Sequence, residues 1–225
     1  MIETAPGVIR VLVVDDQALL RRSMATIIAS QPDLAVVGES SDGRQAIAQA
    51  TTLLPDVVLM DINMPGDING VEATRAICAH PELAATRICI LTMFDDDQYV
   101  FQALRAGASG YLLKDTTPEG VIDSIRALHN GRSPLSPGVL RTVAAYCPPT
   151  VDPTTQLPGL TSRQTQILRL IAEGLSNEQI ERELFISRST LKSHITALLQ
   201  RLGARDRAQL VIAAYEGGLV RRRQR

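Results

Sequence analysis

VIRVLVVDD (residues 8–16) sets an apolar, β-branched run against two consecutive carboxylates, and the same plan recurs downstream. PDVVLMD (55–61) stops on Asp61, TRICILT (86–92) on Thr92, and SGYLLK (109–114) on Lys114. A short continuous apolar run with a polar stop is the pattern of a strand buried on both faces. Stretches of helical period lie between the runs. QALLRRSMATIIAS (17–30) places Leu19, Leu20, Met24, Ile27 and Ile28 on one face. LAVVGES (34–40) reads as another strand, followed by DGRQAIAQATTLL (42–54) as a helix capped by Asp42. Further helices are expected near 71–80, 96–106 and 118–130. Strands alternating with helices imply right-handed crossovers and a parallel sheet covered on both sides. The polar stops then share one edge of that sheet, beyond the carboxyl ends of the strands, where open α/β folds bind ligands.

Five side chains gather at that edge: Asp15, Asp16, Asp61, Thr92 and Lys114. Three carboxylates so close cannot all stay ionised unless a hard cation neutralises them. Mg²⁺ suits, because it takes oxygen ligands and keeps waters that a phosphate can replace. Asp61 then reads as the nucleophile that attacks a phosphoryl donor to form an acyl phosphate. Asp15 and Asp16 read as metal ligands beside it, joined by the backbone carbonyl of Asn63. Lys114 supplies a point charge to the phosphoryl oxygens and Thr92 a hydroxyl. A lone Asp at a strand end is ordinarily a helix cap. Five suitable side chains at strand ends make a site the better reading.

Length and composition set the frame. A chain of 225 residues has room for two domains, and 45% hydrophobic with 21% charged residues is a globular balance. Aromatic residues are 3% and Trp is absent, so the core must be aliphatic. Cys78, Cys89 and Cys147 show no metal-ligand spacing, which suggests incidental thiols in a reducing compartment. Neither a signal peptide nor an apolar run of about 18 residues is present, so a cytoplasmic protein without a membrane span is expected. The net charge of −1 hides a split. Residues 1–131 carry 9 Lys+Arg against 17 Asp+Glu, and residues 132–225 carry 14 against 7. An acidic half joined to a basic half points to a metal or phosphoryl site in one and a polyanion partner for the other. Solvated faces that segregate by chance are the plainer alternative. Only Lys114 and Lys192 are lysines among the 23 basic residues, which singles out both positions as places for a compact ammonium.

Residues 132–158 contain six prolines and read as a linker, with a short helix possible near 137–146. From Leu160 the pattern is helical throughout. Thr161-x-x-Gln164 and Ser176-x-x-Gln179 match the capping box, and Ser187 and Asp206 are further caps. Helices are expected near 162–173, 177–184, 188–202 and 207–216. Leu191, Ile195, Leu198 and Leu202 form one face of the third of these. Its other face carries Ser189, Ser193, Thr196 and Gln200, flanked by Thr190 and Lys192. Short hydroxyl and amide side chains let a helix sit deep in a major groove. With the capped helix before it and a turn at Leu184–Ile186, the pair reads as helix-turn-helix. The expected DNA contacts are Ser187, Arg188, Ser189, Thr190, Lys192, Ser193, His194 and Thr196. His194 lies nearer the apolar face, in a packing or backbone-contact position. Arg188, Arg201, Arg205, Arg207 and the tail RRRQR (221–225) would neutralise phosphates. An ordinary bundle or a protein-docking helix is the alternative.

The motifs VLVVDD, VVLMDINMPG, LT and YLLKD make residues 8–131 resemble the receiver domain of two-component response regulators. LTSRQ, EGLSN, STLKSH, RLGARDR and AAYEGGL make residues 159–221 resemble the LuxR-type DNA-binding domain. Together they resemble the NarL/LuxR-type response regulators. The resemblance implies a flavodoxin-like (βα)5 receiver of strand order 2-1-3-4-5, then a small all-α four-helix helix-turn-helix domain. It implies that a sensor histidine kinase phosphorylates Asp61, that Thr92 and Tyr111 form a switch pair, and that a homodimer forms on phosphorylation or on promoter DNA, with the last helix in the dimer contact. Two departures stand out. The loop after Met64-Pro65 carries one more residue than usual before Gly70, which bears on metal access and phosphate lifetime. Gln179, Glu181 and Leu191 replace Glu, Ala and Val. Two rival functions remain. A phosphohydrolase would carry an acid/base Asp two residues after its nucleophile, and Asn63 holds that offset here. A DNA-binding regulator with a phosphate-independent receiver would instead sense a partner or a small molecule through that fold.

Overall fold

The computed structural model describes residues 7–93, 97–146, 157 and 159–220. Cys147, Pro148, Pro149, Pro153, Pro158 and the basic tail at 221–225 fall outside the described residues. The chain divides into two compact units, Met1–Pro134 and Leu135–Arg225.

In the first unit, β1 (Ile9–Val14), β2 (Leu34–Ser40), β3 (Val57–Met60), β4 (Arg87–Thr92) and β5 (Gly110–Leu113) form one parallel sheet of order β2-β1-β3-β4-β5. The helices between them are α1 (Ala18–Ala29), α2 (Gly43–Leu53), α3 (Gly70–Ala79), α4 (Asp97–Arg105) and α5 (Pro118–His129). A 3₁₀ turn at Pro81–Leu83, opened by a proline, was not legible in the periodicity. Alternation along the strands explains the layers. Val11, Val13, Val57, Leu59, Cys89 and Leu91 face α1 and α5, joining Met24, Ile28, Val121, Ile125 and Leu128 in one core. Leu12, Val14, Val58, Met60, Ile88 and Ile90 are equally buried on the opposite face. Cys78 and Cys89 are free thiols, and complete burial pushes that of Cys89 up to about 12.

The second unit is helical: α6 (Pro137–Tyr146), α7 (Ser162–Ala172), α8 (Asn177–Leu184), α9 (Arg188–Leu202) and α10 (Arg207–Glu216). Both capping boxes form. Thr161 and Gln164 satisfy each other's backbone N–H groups at the start of α7, as Ser176 and Gln179 do at α8. Ser187 accepts from the Thr190 N–H, and Asp206 from the Gln209 N–H. α10 packs on α7, α9 and α6. The proline-rich stretch read as a linker therefore contributes a helix to this unit, with Val143 fully buried.

α8 and α9 have the bounds expected of them, and only the turn between them shifts by one residue, because Leu184, counted in the turn, belongs to α8. α8 keeps Leu184 because that side chain is buried, and the turn is Phe185–Ser187. Phe185 closes α8 in the left-handed region (φ 52°) with 94% of its surface exposed. Its ring gains nothing by burial while its backbone carries left-handed strain of about 1–2 kcal/mol. Phe185→Gly is expected to raise the melting temperature of this unit by a few degrees, a net gain of about 0.5–1 kcal/mol after the glycine's own entropy cost. Circular dichroism on heating checks it; an unchanged or lower midpoint contradicts it.

Candidate functional site

The sheet ladder runs one residue past the strands and thereby places the acidic pocket. The Asp15 N–H donates to the Ser40 carbonyl at 3.1 Å and the Asp61 N–H to the Val14 carbonyl at 2.9 Å. The Lys114 N–H donates to the Thr92 carbonyl at 2.9 Å. With the backbones level, the side chains converge. Lys114 Nζ lies 2.7 Å from Asp15 Oδ2 and 2.8 Å from Asp61 Oδ2, with its side chain 2% exposed. The remaining oxygens are also held: Asp15 Oδ1 accepts the Gln17 N–H at 2.9 Å and Asp61 Oδ1 the Ile62 N–H at 2.7 Å. Asp15 and Asp61 are buried and Asp16 is exposed, yet all three offer carboxylate oxygens within 4.8 Å of one another. Thr92 is buried at the end of β4, and Tyr111 is buried on β5 opposite Ile90. Asn63 is exposed in the loop after Asp61.

The electrostatics follow from this packing. Burial raises the Asp61 carboxyl above the usual range, with Lys114 opposing that shift and Asp15 adding to it. Burial pulls Lys114 down, but its hydrogen bonds to Asp15 and Asp61 win and hold it above its ordinary value. Three carboxylates against one ammonium leave the pocket electron-rich and short of positive charge. An all-oxygen donor set with that deficit, open to solvent at Asp16, fits a hard divalent cation.

Asn69 caps α3, accepting from the Val71 and Glu72 N–H groups, while Glu72 reaches back to the Asn69 N–H. Asn69-x-x-Glu72 is a capping signal that the sequence carries at the start of α3. It pins Gly70, whose N–H donates to the Ile62 carbonyl at 2.9 Å. A Cβ on Gly70 would lie 1.9 Å from the Asp61 carbonyl oxygen. Gly66, in the same loop, takes a left-handed φ of 107°.

In the second unit, α9 has the two faces expected of it. Leu191 and Leu198 are buried, and Ile195 and Leu202 are half-buried. Ser187, Arg188, Ser189, Thr190, Lys192, Ser193 and Thr196 are exposed, and His194 is half-buried beside the apolar face. Hydroxyls cluster at the helix start: Ser187 Oγ is 2.9 Å from both Ser189 Oγ and Thr190 Oγ1. The cations divide differently from the expectation. Arg188 is exposed, but Arg201 donates to the Gly159 carbonyl and Arg207 to Leu175 and Asn177. Those two guanidiniums serve intradomain acceptors because helix packing brings backbone carbonyls within their reach, which sequence spacing alone does not show.

Comparison with known proteins agrees with both halves. Residues 11–126 match the response regulator receiver domain, and residues 158–214 match the bacterial regulatory proteins of the luxR family. The transcriptional regulatory protein YxjL of Bacillus subtilis is 42% identical over 220 residues, covering 94% of this chain and 97% of that one. The transcriptional regulatory protein LiaR of the same organism is 41% identical over 212 residues, covering 94% and 99%. Among solved structures, the response regulator ChrA of a heme-sensing two-component system superimposes with a TM-score of 0.51 at 34% identity, covering 95% of this chain and 100% of that one. Among the described residues, no helix is long and apolar enough to cross a membrane. The chain belongs to the NarL/LuxR-type response regulators, DNA-binding proteins of two-component systems that join a receiver domain to a LuxR-type helix-turn-helix domain.

Proposed function

We propose that Asp61 is the phosphoacceptor of a transcriptional switch, and the observation that carries it is the pair of buried carboxylates, Asp15 and Asp61, converging on Lys114. The donor is the phosphohistidine of a sensor histidine kinase in the cytoplasm. One Asp61 oxygen bonds to phosphorus as the P–N bond breaks, and the imidazole leaves with that electron pair. Mg²⁺, held by Asp15, Asp16, Asp61 and the Asn63 carbonyl, supplies positive charge to the phosphoryl oxygens when bound. Lys114 gives up its bond to Asp61 and takes a phosphoryl oxygen instead. Thr92 donates its hydroxyl to another, and Tyr111 packs into the space Thr92 leaves. The face around β4 and β5 repacks, and a homodimer forms on promoter DNA, reading two half-sites about one helical turn apart. Ser187, Arg188, Ser189, Thr190, Lys192, Ser193, His194 and Thr196 line the contact of each α9 with its half-site.

Incubation with acetyl phosphate and Mg²⁺, read by intact mass, tests the acceptor. Wild type should gain one phosphoryl group, and Asp61→Asn none. No gain in wild type, or the same gain in both, overturns the assignment. Omitting Mg²⁺ should abolish the gain; full labelling in a chelator would remove the metal from the scheme. For the second half, enrichment of duplexes from a random-sequence pool should return a repeated half-site, with Lys192→Ala lowering affinity at least ten-fold. Equal affinity in that variant would take α9 out of the groove.

A further inference from the structure

α8 is a short element to carry a binding geometry. It has eight residues and buries only Ile180 and Leu184. A helix of two turns has little stability of its own, so its direction must come from what holds it. Two apolar anchors fix its distance from the core and leave its tilt soft. Both ends are tied by arginines from other helices. At the start, Arg207 of α10 donates through Nη1 to Asn177 Oδ1 at 3.0 Å and through Nη2 to the Leu175 carbonyl. Glu178, the next residue of α8, adds an opposite charge beside it. At the far end, Arg163 of α7 donates through Nη2 to the Leu184 carbonyl at 2.7 Å and through Nη1 to Gln166 Oε1 at 2.8 Å. A planar guanidinium reaches two acceptors at once in a fixed geometry, which a lysine ammonium does not.

We propose that Arg207 and Arg163 are positioning residues for DNA binding, clamping the two ends of α8 and so setting the angle at which α9 enters the groove, without touching phosphate themselves. The inference rests on α8 and α9 acting as a helix-turn-helix. α8 packs directly on α9, and the exposed hydroxyl cluster at Ser187, Ser189 and Thr190 begins three residues after the Leu184 carbonyl that Arg163 holds. Tilting α8 moves that cluster. Burial also lowers the half-buried Arg207 guanidinium to about 10, which leaves it a cation at neutral pH.

Salt dependence separates positioning from contact. Each phosphate contact contributes about 0.9 to the slope of log affinity against log salt. The probe is a duplex enriched from a random pool by the full-length wild type, with an unrelated duplex as reference. Affinities are measured well below every variant's melting temperature. Arg207→Lys and Arg163→Lys should each bind the enriched duplex roughly ten-fold more weakly, bind the unrelated duplex nearly as wild type does, and keep the wild-type slope. Arg207→Gln should keep that slope too. A slope reduced by about 0.9 in Arg207→Gln, or wild-type affinity in Arg207→Lys, overturns the clamp in favour of a phosphate contact. A lower melting temperature with an unchanged ratio of enriched to unrelated affinity overturns it in favour of a purely structural role. Should Arg207→Gln fail to fold, Asn177→Ala removes the other side of the bond. Its effect should not add to that of Arg207→Lys, and full additivity overturns the proposal. A wild-type chain that enriches no duplex would sink the helix-turn-helix reading itself; wild-type binding with unaffected lysine variants sinks the clamp alone.

Discussion

Lys114→Ala is expected to cost the receiver about 3–5 kcal/mol at neutral pH in the absence of Mg²⁺, the usual scale for removing one partner of a buried ionic group. The ammonium is 2.7 Å from Asp15 and 2.8 Å from Asp61, and its removal leaves two buried carboxylates facing each other. The pH dependence has a definite sign. Burial already raises Asp61 in the folded state, and losing Lys114 removes what opposes that rise. A carboxyl whose folded value lies above its unfolded one binds more protons folded, so stability falls as pH rises through its folded value. The deficit of Lys114→Ala should therefore be largest where Asp61 is fully ionised and shrink as pH falls through the raised folded value of Asp61 and the carboxyl takes up a proton. Lys114's own raised value acts in the opposite regime: its stabilisation is complete below its unfolded value and lost only in alkali. Adding Asp61→Asn to Lys114→Ala should recover most of the loss, and so should millimolar Mg²⁺ if the carboxylates hold it. Urea unfolding of wild type, Lys114→Ala, Asp61→Asn and the double variant across pH measures all of this. A pH-independent loss, or no recovery with Asp61→Asn, would mean that Lys114 stabilises by packing and not by charge.

The pocket was legible in the sequence because a parallel sheet converts strand ends into neighbours. Asp15, Asp61, Thr92 and Lys114 each follow or end an apolar run, and the ladder bonds at Val14–Asp61 and Thr92–Lys114 make that register physical. The caps at Asp42, Thr161, Ser176, Ser187 and Asp206 were legible for a similar reason: each depends on residues three apart. What escaped depends on distant approach. No pattern in the sequence brings Arg207 to Leu175 or Arg126 to Asp33, pairs that are formed by helix packing. The left-handed backbone of Phe185 escaped for a different reason, since an aromatic residue in that region runs against backbone preference. The charge split also needed correction at the level of single residues. A basic half attracts polyanions as a whole, but Arg201 and Arg207 also donate to backbone carbonyls of their own unit, which their place in the sequence does not show.

Gly70→Ala is expected to be the most damaging small substitution in the receiver. Gly70 is the first residue of α3, and its backbone passes so close to the phosphoacceptor that a Cβ would sit 1.9 Å from the Asp61 carbonyl oxygen. It would also lie 2.8 Å from the Asp61 carbonyl carbon and 2.8 Å from Ile62 Cα. All three atoms are backbone, so no rotamer change relieves the contact, and either β3 or α3 must move. Moving α3 breaks the Gly70–Ile62 bond and the Asn69–Glu72 capping box; moving β3 shifts Asp61 itself. Overpacking of this kind costs about 1–3 kcal/mol or more. The effect on chemistry should be larger still, because a nucleophile displaced by about 1 Å loses on the order of a hundred-fold in rate. Gly66→Ala is the matched control. Gly66 also lies in the loop after Asp61 and has φ 107°, yet its Cβ would meet nothing within 4 Å. It should lose stability through backbone strain while phosphorylating at nearly the wild-type rate. Acetyl phosphate labelling followed over time, beside thermal melts of both variants, separates the cases. Near-normal labelling by Gly70→Ala would show that the β3–α3 junction yields without disturbing Asp61. Equal rate losses in both variants would show that the loop's conformation, not the close approach at Gly70, places the nucleophile.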